Sequence, residues 1–304
     1  MFMYTGLTNI GNTCYINATL QCLIHLDELN IFLNQHAPKS LLLKEYNDLR
    51  ILMLQRHTSI TPTRFVHVVQ HICHEKKMDL FTSFSQYDLS EFLRFIMNEF
   101  HTSMKQNVPF NIPSNLSEID KKCFEMMVKT YSTDYSFIID SFYGISVSTI
   151  ETLEKVESII PEPFFILDLP IPTKPQVSIY DCIQLYTQSE TIEWHDDKTN
   201  TYIPATKKIQ FWKLPNLLFV VFKRFNNSNH KNNQLIDVPL EITLGPNMYH
   251  LTSICNHYGS VNSGHYSTLV KKDSWIEFDD GNIITIANNN VITPNAYCLL
   301  FRKK

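Results

Sequence analysis

No two of the seven cysteines (Cys14, Cys22, Cys73, Cys123, Cys182, Cys255 and Cys298) stand in a C-x-x-C pair, and their number is odd. That excludes a closed disulfide framework and a paired-thiolate zinc site, and it points to free thiols in a reducing compartment, cytoplasmic and/or nuclear. Long apolar runs are absent as well. The longest is Leu217–Phe222, far short of the roughly 20 residues that cross a bilayer, so no membrane partner is expected. There is no basic excess: Lys and Arg total 26 against 30 Asp and Glu, a formal net charge of -4. Pairs such as Lys121-Lys122 and Lys207-Lys208 are short, and no broad basic field is left for nucleic acid. Met1–Gly6 carries no basic-then-apolar leader, so no secretory signal is expected. No repeat and no long low-complexity linker interrupts the chain.

What is present is globular: 304 residues, 44% hydrophobic and 18% charged, enough to bury a sizeable core without disulfides or structural metal. The periodicity predicts a helix from Cys14 to about Leu29, and a second opened by Pro38 through Leu42, Tyr46, Leu49 and Leu52. A third starts at Thr61-Pro62 and carries Phe65, Val66, Val69 and Ile72. A fourth is capped by Ser85, with Leu89, Phe92, Leu93, Ile96 and Phe100 as its stripe. From Phe164 the pattern turns to short extended pieces punctuated by proline, then a helix over Val177–Glu193, then strands. The strands are Leu217–Phe225, His250–Asn256, Tyr266–Lys271, Trp275–Asp279, Ile283–Ile286 and Tyr297–Arg302. The chain reads as one α+β unit over 1–304, a helical part against an antiparallel sheet.

Three segments carry chemistry. Gly6–Asn17 is a polar, glycine-bearing loop running into a helix with the Cys14 thiol in its first turn, a placement that favours thiolate. Asn9, in that loop, can donate an amide N–H to an oxyanion. The plainer reading is a capped helix with a buried small cysteine, which suits Cys22 better than Cys14. His257–Ser267 is a glycine-containing loop that delivers His265 at the start of a strand, an imidazole partner for a thiolate. Trp275–Gly281 alternates and then ends in Asp279-Asp280 before a turn. Asp279 is the expected orienter of His265, with Asp280 the alternative, turned toward solvent or the oxyanion side. The plainer reading there is an Asp-Gly turn. A fourth cluster, His67, His71, Cys73 and His74, is metal-like in composition but reads as a surface helix.

Together these segments resemble the ubiquitin-specific protease family. Gly6–Asn17 is similar to its Cys box and His257–Asp280 to its His box. Gln86-Tyr87-Asp88-Leu89-Ser90-Glu91-Phe92-Leu93 resembles its intervening Gln-Gln-Asp motif, with Tyr87 where glutamine is usual. Leu214-Pro215, Phe222–Phe225 and Ala296-Tyr297…Leu300-Phe301 follow in the family's order.

The resemblance implies a papain-like cysteine protease of thumb–palm–fingers architecture: a helical thumb over about 1–115, then antiparallel palm and fingers over about 116–304. It implies a triad of Cys14, His265 and Asp279, with Asn9 at the oxyanion. The implied substrate is ubiquitin on conjugated proteins, with a tail of arginines and two glycines. Asp88 and Glu91, three apart, would face the tail arginines together. Gly264 and Tyr266 would shape a passage narrow enough for Gly-Gly. Many members hold zinc in the fingers through two C-x-x-C pairs. Here Gly144–Glu157 has no cysteine and Ile203-Pro204-Ala205-Thr206 follows Tyr202. The resemblance therefore implies no metal and no cofactor, with Trp194, Phe211 and local pairing holding the fingers, in a chain close to a minimal catalytic domain. Two rival functions remain: a module that binds ubiquitin without cleaving it, and a protease for a ubiquitin-like modifier.

Overall fold

The computed structural model describes residues 4–55, 58–196, 199–261, 263–286 and 291–304. Strand β1 (Gly6–Leu7) leads into α1 (Cys14–Ile24), followed by α2 (Asp27–Gln35), α3 (Leu41–Leu54), β2 (Ser59–Ile60), α4 (Thr63–Glu75), α5 (Leu89–Met104), α6 (Glu118–Tyr131) and α7 (Phe137–Phe142). Next come β3 (Gly144–Glu151), β4 (Val156–Phe164), β5 (Ile166–Leu169), β6 (Val177–Ser178), α8 (Ile179–Thr187), β7 (Glu190–Asp196), β8 (Thr201–Lys213) and β9 (Leu217–Phe222). The remainder is β10 (Ile236–Asp237), β11 (Glu241–Leu244), β12 (Asn247–Gly259), β13 (Gly264–Lys271), β14 (Trp275–Asp279), β15 (Asn282–Ile286) and β16 (Ala296–Lys303). This is a papain-like α+β fold. No helix among the described residues is long and apolar enough to cross a membrane.

The palm is one eight-stranded sheet in the order β15-β14-β13-β12-β16-β9-β5, with β11 also paired to β12. The β5–β9 pair is parallel, the others antiparallel. Strand β9 is buried along its whole length, as a strand covered on both faces must be. Its side chains alternate. Leu217, Phe219 and Val221 join the core beneath the helices, while Leu218, Val220 and Phe222 join a second core with Trp275, Tyr249 and Leu299. Helix α1 lies against the palm, where Thr268 Oγ1 of β13 donates to Ala18 O at 2.9 Å. Every residue of α1 is buried, so its polar members need internal partners. Asn17 Nδ2 donates to Leu7 O, Gln21 Nε2 to Thr5 O, and Thr19 Oγ1 to Tyr15 O.

Local chemistry explains where elements differ from the sequence reading. The first helix stops at Ile24 because Leu26 is extended (φ -84°, ψ 114°) and Asp27-Glu28 start α2, acidic residues being favoured in a first turn. Ser40, not Pro38, caps α3 by accepting from Leu43 N. Asp88, not Ser85, caps α5. The Val177–Glu193 segment divides at a Ser178/Asp181 capping box and again at Gln188, so Glu190 onward is strand. Helices α6 and α7 and the β3–β4 hairpin were not expected. Only Cys123 and Tyr131 of α6 are buried, and β4 lacks alternation and holds Pro161 and Pro163.

The fingers are a four-stranded sheet, β4-β3-β8-β7. They are held by their strand pairing, by α6 and by Phe211 of β8 packing on Phe164 of β4. Cys123 packs with Ile145 and Val147, and the Trp212 indole donates to Asp120 Oδ1 at 2.7 Å. Phe211 also stacks on Tyr186 of α8 at 6.0 Å, besides lying 5.8 Å from Phe164. Trp194 is half-buried on β7. The four finger strands contain no cysteine and one histidine, His195, a donor set that does not fit structural zinc.

Candidate active site

The loop before α1 is shaped by one side chain. Asn9 Oδ1 accepts from Gly11 N and Thr13 N at 3.1 Å each and from Thr13 Oγ1 at 3.2 Å. Gly11 has φ 113° and Asn12 φ 52°, so the turn uses the left-handed region that glycine and asparagine tolerate best. The result places the Cys14 thiol at the helix N-terminus, buried and facing β13 across the seam between the helices and the palm.

From the palm, β13 carries His265, and β14 ends at Asp279. His265 Nε2 and Asp279 Oδ1 are 2.5 Å apart, which leaves Nδ1 as the nitrogen available to a thiol. Asn262, in the loop before β13, lies outside the described residues. Asp280 follows at φ 50°, a backbone state that aspartate accepts more readily than most residues. Its carboxylate is tied to the helical part: Asn9 Nδ2 donates to Oδ2 at 3.0 Å and Asn17 Nδ2 to Oδ1 at 2.8 Å. Polar atoms of His265, Asp279 and Asp280 all lie within 4.8 Å of one another. Asp280 therefore sits on the Asn9 side, and Asp279 is the carboxylate hydrogen-bonded to the imidazole.

The thiol differs from its expectation. Burial pushes the Cys14 thiol above its ordinary value, and Asp280 adds to that. The Tyr266, Tyr15 and Cys14 backbone N–H groups pull the other way. Helix-terminus amides do stabilise the thiolate, but desolvation outweighs them. No hydrogen bond joins Cys14 to His265 among the described residues, so the imidazole that would stabilise a thiolate is not yet engaged with it. Catalytic hydrogen bonds tighten in the substrate complex in many enzymes whose free form shows them loose.

Cys14 opens into a cleft of about 430 Å³ that is also lined by Gln86, Asp88, Glu91, His257, Gly264 and Tyr266. The structure thus brings the sequence-derived substrate residues to one cavity with the thiol. Asp88 is not on the helix face beside Glu91; it is the N-cap of α5, and Glu91 lies in the first turn. Burial, then the neighbouring Asp88, raises the Glu91 carboxyl above its usual range. Gly264 has a packing reason to be glycine, because a Cβ there would meet His257 Nε2 at 2.3 Å. The His257 ring is buried, its Nδ1 unpartnered among the described residues, and desolvation pushes it down to about 4. Tyr87, the departure in the middle motif, joins a ring cluster with Tyr15 at 5.7 Å and Phe81 at 5.0 Å, so an aromatic is accommodated there.

Gln86 and Tyr297 hold cleft residues directly; the sequence reading placed both in family-like motifs but gave neither a role. A glutamine before a helix and a tyrosine in a strand carry no signal of their own. The His67, His71 and His74 side chains are exposed on α4, Cys73 is buried beneath them, and His71 Nε2 lies 3.4 Å from Glu75.

One expected outcome concerns Asn9. Asn9→Ala lowers kcat about ten- to a thousand-fold, the scale of one oxyanion donor, without loss of fold. Unchanged kcat would leave Asn9 only the loop-shaping role described above.

Comparison with known proteins agrees with this geometry. Residues 5–301 match the family model described as ubiquitin carboxyl-terminal hydrolase. Ubiquitin carboxyl-terminal hydrolase 5 of Saccharomyces cerevisiae is 27% identical over 99% of this chain and 45% of its own length. Usp2 of Drosophila melanogaster is 29% identical over 98% of this chain and 34% of its own. The chain thus spans less than half the length of these two curated relatives. Among solved structures, the Ubp8-containing SAGA module bound to monoubiquitin gives a TM-score of 0.77 at 22% identity, covering 99% of this chain and 69% of that one. A buried thiol at a helix start, an imidazole held by a carboxylate on the facing strands, and a match along nearly the whole chain lead to one assignment: this chain belongs to the ubiquitin carboxyl-terminal hydrolase family.

Proposed function

We propose that the chain is a cysteine-type deubiquitinase that hydrolyses the bond between the carboxy-terminal glycine of ubiquitin and a lysine amine or peptide nitrogen. The observation that carries this reading is the His265–Asp279 pair at 2.5 Å on the strands facing Cys14, which lines a cleft together with Gly264. Cys14 supplies the nucleophile. Its sulfur attacks the glycine carbonyl carbon, and the proton passes to His265 Nδ1. The negative oxygen is met by the Asn9 amide and the backbone N–H groups at the start of α1. Collapse breaks the C–N bond, the departing amine takes the proton from His265, and a thioester remains. Water, deprotonated by His265, attacks that carbonyl; the C–S bond breaks, and ubiquitin leaves with a free carboxylate.

Glu91 supports a tail-reading role. Its carboxylate lines the cleft and has no hydrogen-bond partner among the described residues, Arg94 acting on it only through its charge, so a cationic tail residue could hydrogen-bond it directly. If Glu91 pairs with a tail arginine, Glu91→Ala lowers kcat/KM by about 2–5 kcal/mol on a ubiquitin coumarin amide. The same change has little effect when the tail arginines are alanine. Equal losses on both substrates would remove the pairing.

A protease for a ubiquitin-like modifier is the second reading, since an acidic cleft accepts any arginine-bearing tail; parallel suicide probes separate the two. The seven buried free cysteines support a reducing compartment, cytoplasmic and/or nuclear.

A further inference from the structure

Strand β13 outruns its neighbour. Strand β14 pairs with it only from Thr268, opposite Phe278, to Lys271. Gly264–Ser267, the stretch that contains His265, is paired on one side alone, by β12. A strand end paired along one edge leaves its other row of backbone N–H and C=O groups without ladder partners.

Two side chains tie it to β14, His265 to Asp279 at 2.5 Å and Ser267 Oγ to Glu277 Oε1 at 3.0 Å, and residues 86–88 hold it from the helical side. Gln86 treats Gly264 as a strand would: its Nε2 donates to Gly264 O at 3.0 Å, and Gly264 N donates to Gln86 Oε1 at 2.8 Å. Two residues on, Asp88 Oδ2 accepts the Tyr297 hydroxyl at 2.6 Å and the Tyr266 hydroxyl at 3.3 Å. The residues gripped, 264 and 266, flank His265. The other oxygen, Asp88 Oδ1, accepts from Ser90 N at 2.7 Å, Ser90 Oγ at 2.6 Å and Glu91 N at 3.1 Å. A carboxylate offers about four acceptor positions, and here five donors from within the chain already use them. An incoming guanidinium would have to displace these donors at Asp88, whereas Glu91 is open.

We propose that Gln86 and Asp88 are positioning residues that bracket Gly264–Tyr266 and so set His265 against Cys14, leaving the cation-reading role to Glu91. This rests on the hydrolase reading above. The bracket also reaches the nucleophile, because the backbone N–H of the gripped Tyr266 is one of the groups that favour the Cys14 thiolate.

The test uses Gln86→Ala, Asp88→Asn and Tyr297→Phe. Asn is as good a helix cap as Asp, and Tyr297→Phe removes one hydroxyl, so each variant keeps most of the packing; melting curves identify any that unfold. With ubiquitin coumarin amide, each variant is expected to lower kcat about 10- to 100-fold, the cost of displacing a catalytic group by about 1 Å. KM should stay within about 3-fold, and the factor should be the same on ubiquitin whose tail arginines are alanine.

A second readout needs no ubiquitin. Iodoacetamide alkylation of Cys14 in the wild type is expected to have its midpoint above that of an exposed cysteine, because burial raises the thiol. The midpoint should rise further in Gln86→Ala and Tyr297→Phe as the Tyr266 amide loosens. An Asp88→Asn loss that disappears on the arginine-less tail would overturn the proposal. So would wild-type kcat and an unchanged alkylation midpoint in the other two variants. A protein inactive on ubiquitin whose alkylation midpoints still shift would refute the hydrolase reading and leave the bracket standing.

Discussion

Cys14→Ala abolishes turnover of ubiquitin coumarin amide, leaving less than about 10⁻³ of the wild-type rate, while ubiquitin binding persists. The expectation follows from the cleft's division of labour. Among the described residues lining the cavity Cys14 is the one thiol, so without it no thioester can form, and the residual rate is whatever His265 and the oxyanion donors give to water. The surfaces that would hold ubiquitin do not depend on one sulfur. Cys14 packs at the start of α1, and loss of that atom leaves only a small void, so melting temperature moves little. Appreciable hydrolysis by Cys14→Ala would mean the nucleophile lies elsewhere, and loss of binding along with activity would mean the substitution disturbs α1 itself.

Asp279→Asn is expected to lower kcat by about 10²–10⁴-fold. Asp279 accepts from His265 Nε2, which keeps the proton there and leaves Nδ1 unprotonated toward the thiol. An asparagine can present its N–H₂ to Nε2 instead, which drives the proton to Nδ1 and leaves no base facing Cys14. Asp279→Ala removes the carboxylate without imposing the wrong tautomer, so it should be no more damaging than the asparagine variant. Wild-type kcat in Asp279→Asn would pass the orienting role to Asp280, whose carboxylate is also within reach of the imidazole. The two residues are separable by geometry. Asp280 is held by Asn9 and Asn17, and Asp280→Asn should disturb the loop before α1 more than it disturbs His265.

The candidate site residues stand out in the sequence by local signatures: a glycine-bearing loop before a helix, a flexible loop before a strand, a carboxylate before a turn. What brings them together was not readable. Cys14 and His265 are 251 positions apart in the sequence, and the seam between them depends on Thr268 reaching Ala18 and on Gln86 pairing with Gly264. The thiol's environment was misjudged for a related reason. The helix terminus is visible in sequence, whereas the desolvation that outweighs it comes from β13 and the palm packed over α1.

The same distinction separates the elements. Helix α5 was legible because its apolar stripe packs on one core, while its start was misplaced. Asp88 caps it by accepting from Ser90 N and Glu91 N, and Ser85 was an equally good cap by composition. Helix α6 was missed because it buries little, and the β3–β4 hairpin because β4 has two prolines and no alternation. The roles of Gln86 and Tyr297 depend wholly on contacts with residues far away in the chain, which no local pattern encodes.

The central claim is that Cys14, with His265 and Asp279, acts on the carboxy-terminal glycine of ubiquitin. Its most direct test is to incubate the protein with ubiquitin bearing an electrophile in place of that glycine's carboxyl and to identify the modified residue by peptide mass spectrometry. The account predicts one ubiquitin per chain, attached at Cys14, with labelling absent in Cys14→Ala and greatly slowed in His265→Ala. Attachment at any other cysteine would contradict it, as would no reaction with ubiquitin under conditions where a ubiquitin-like modifier probe labels Cys14.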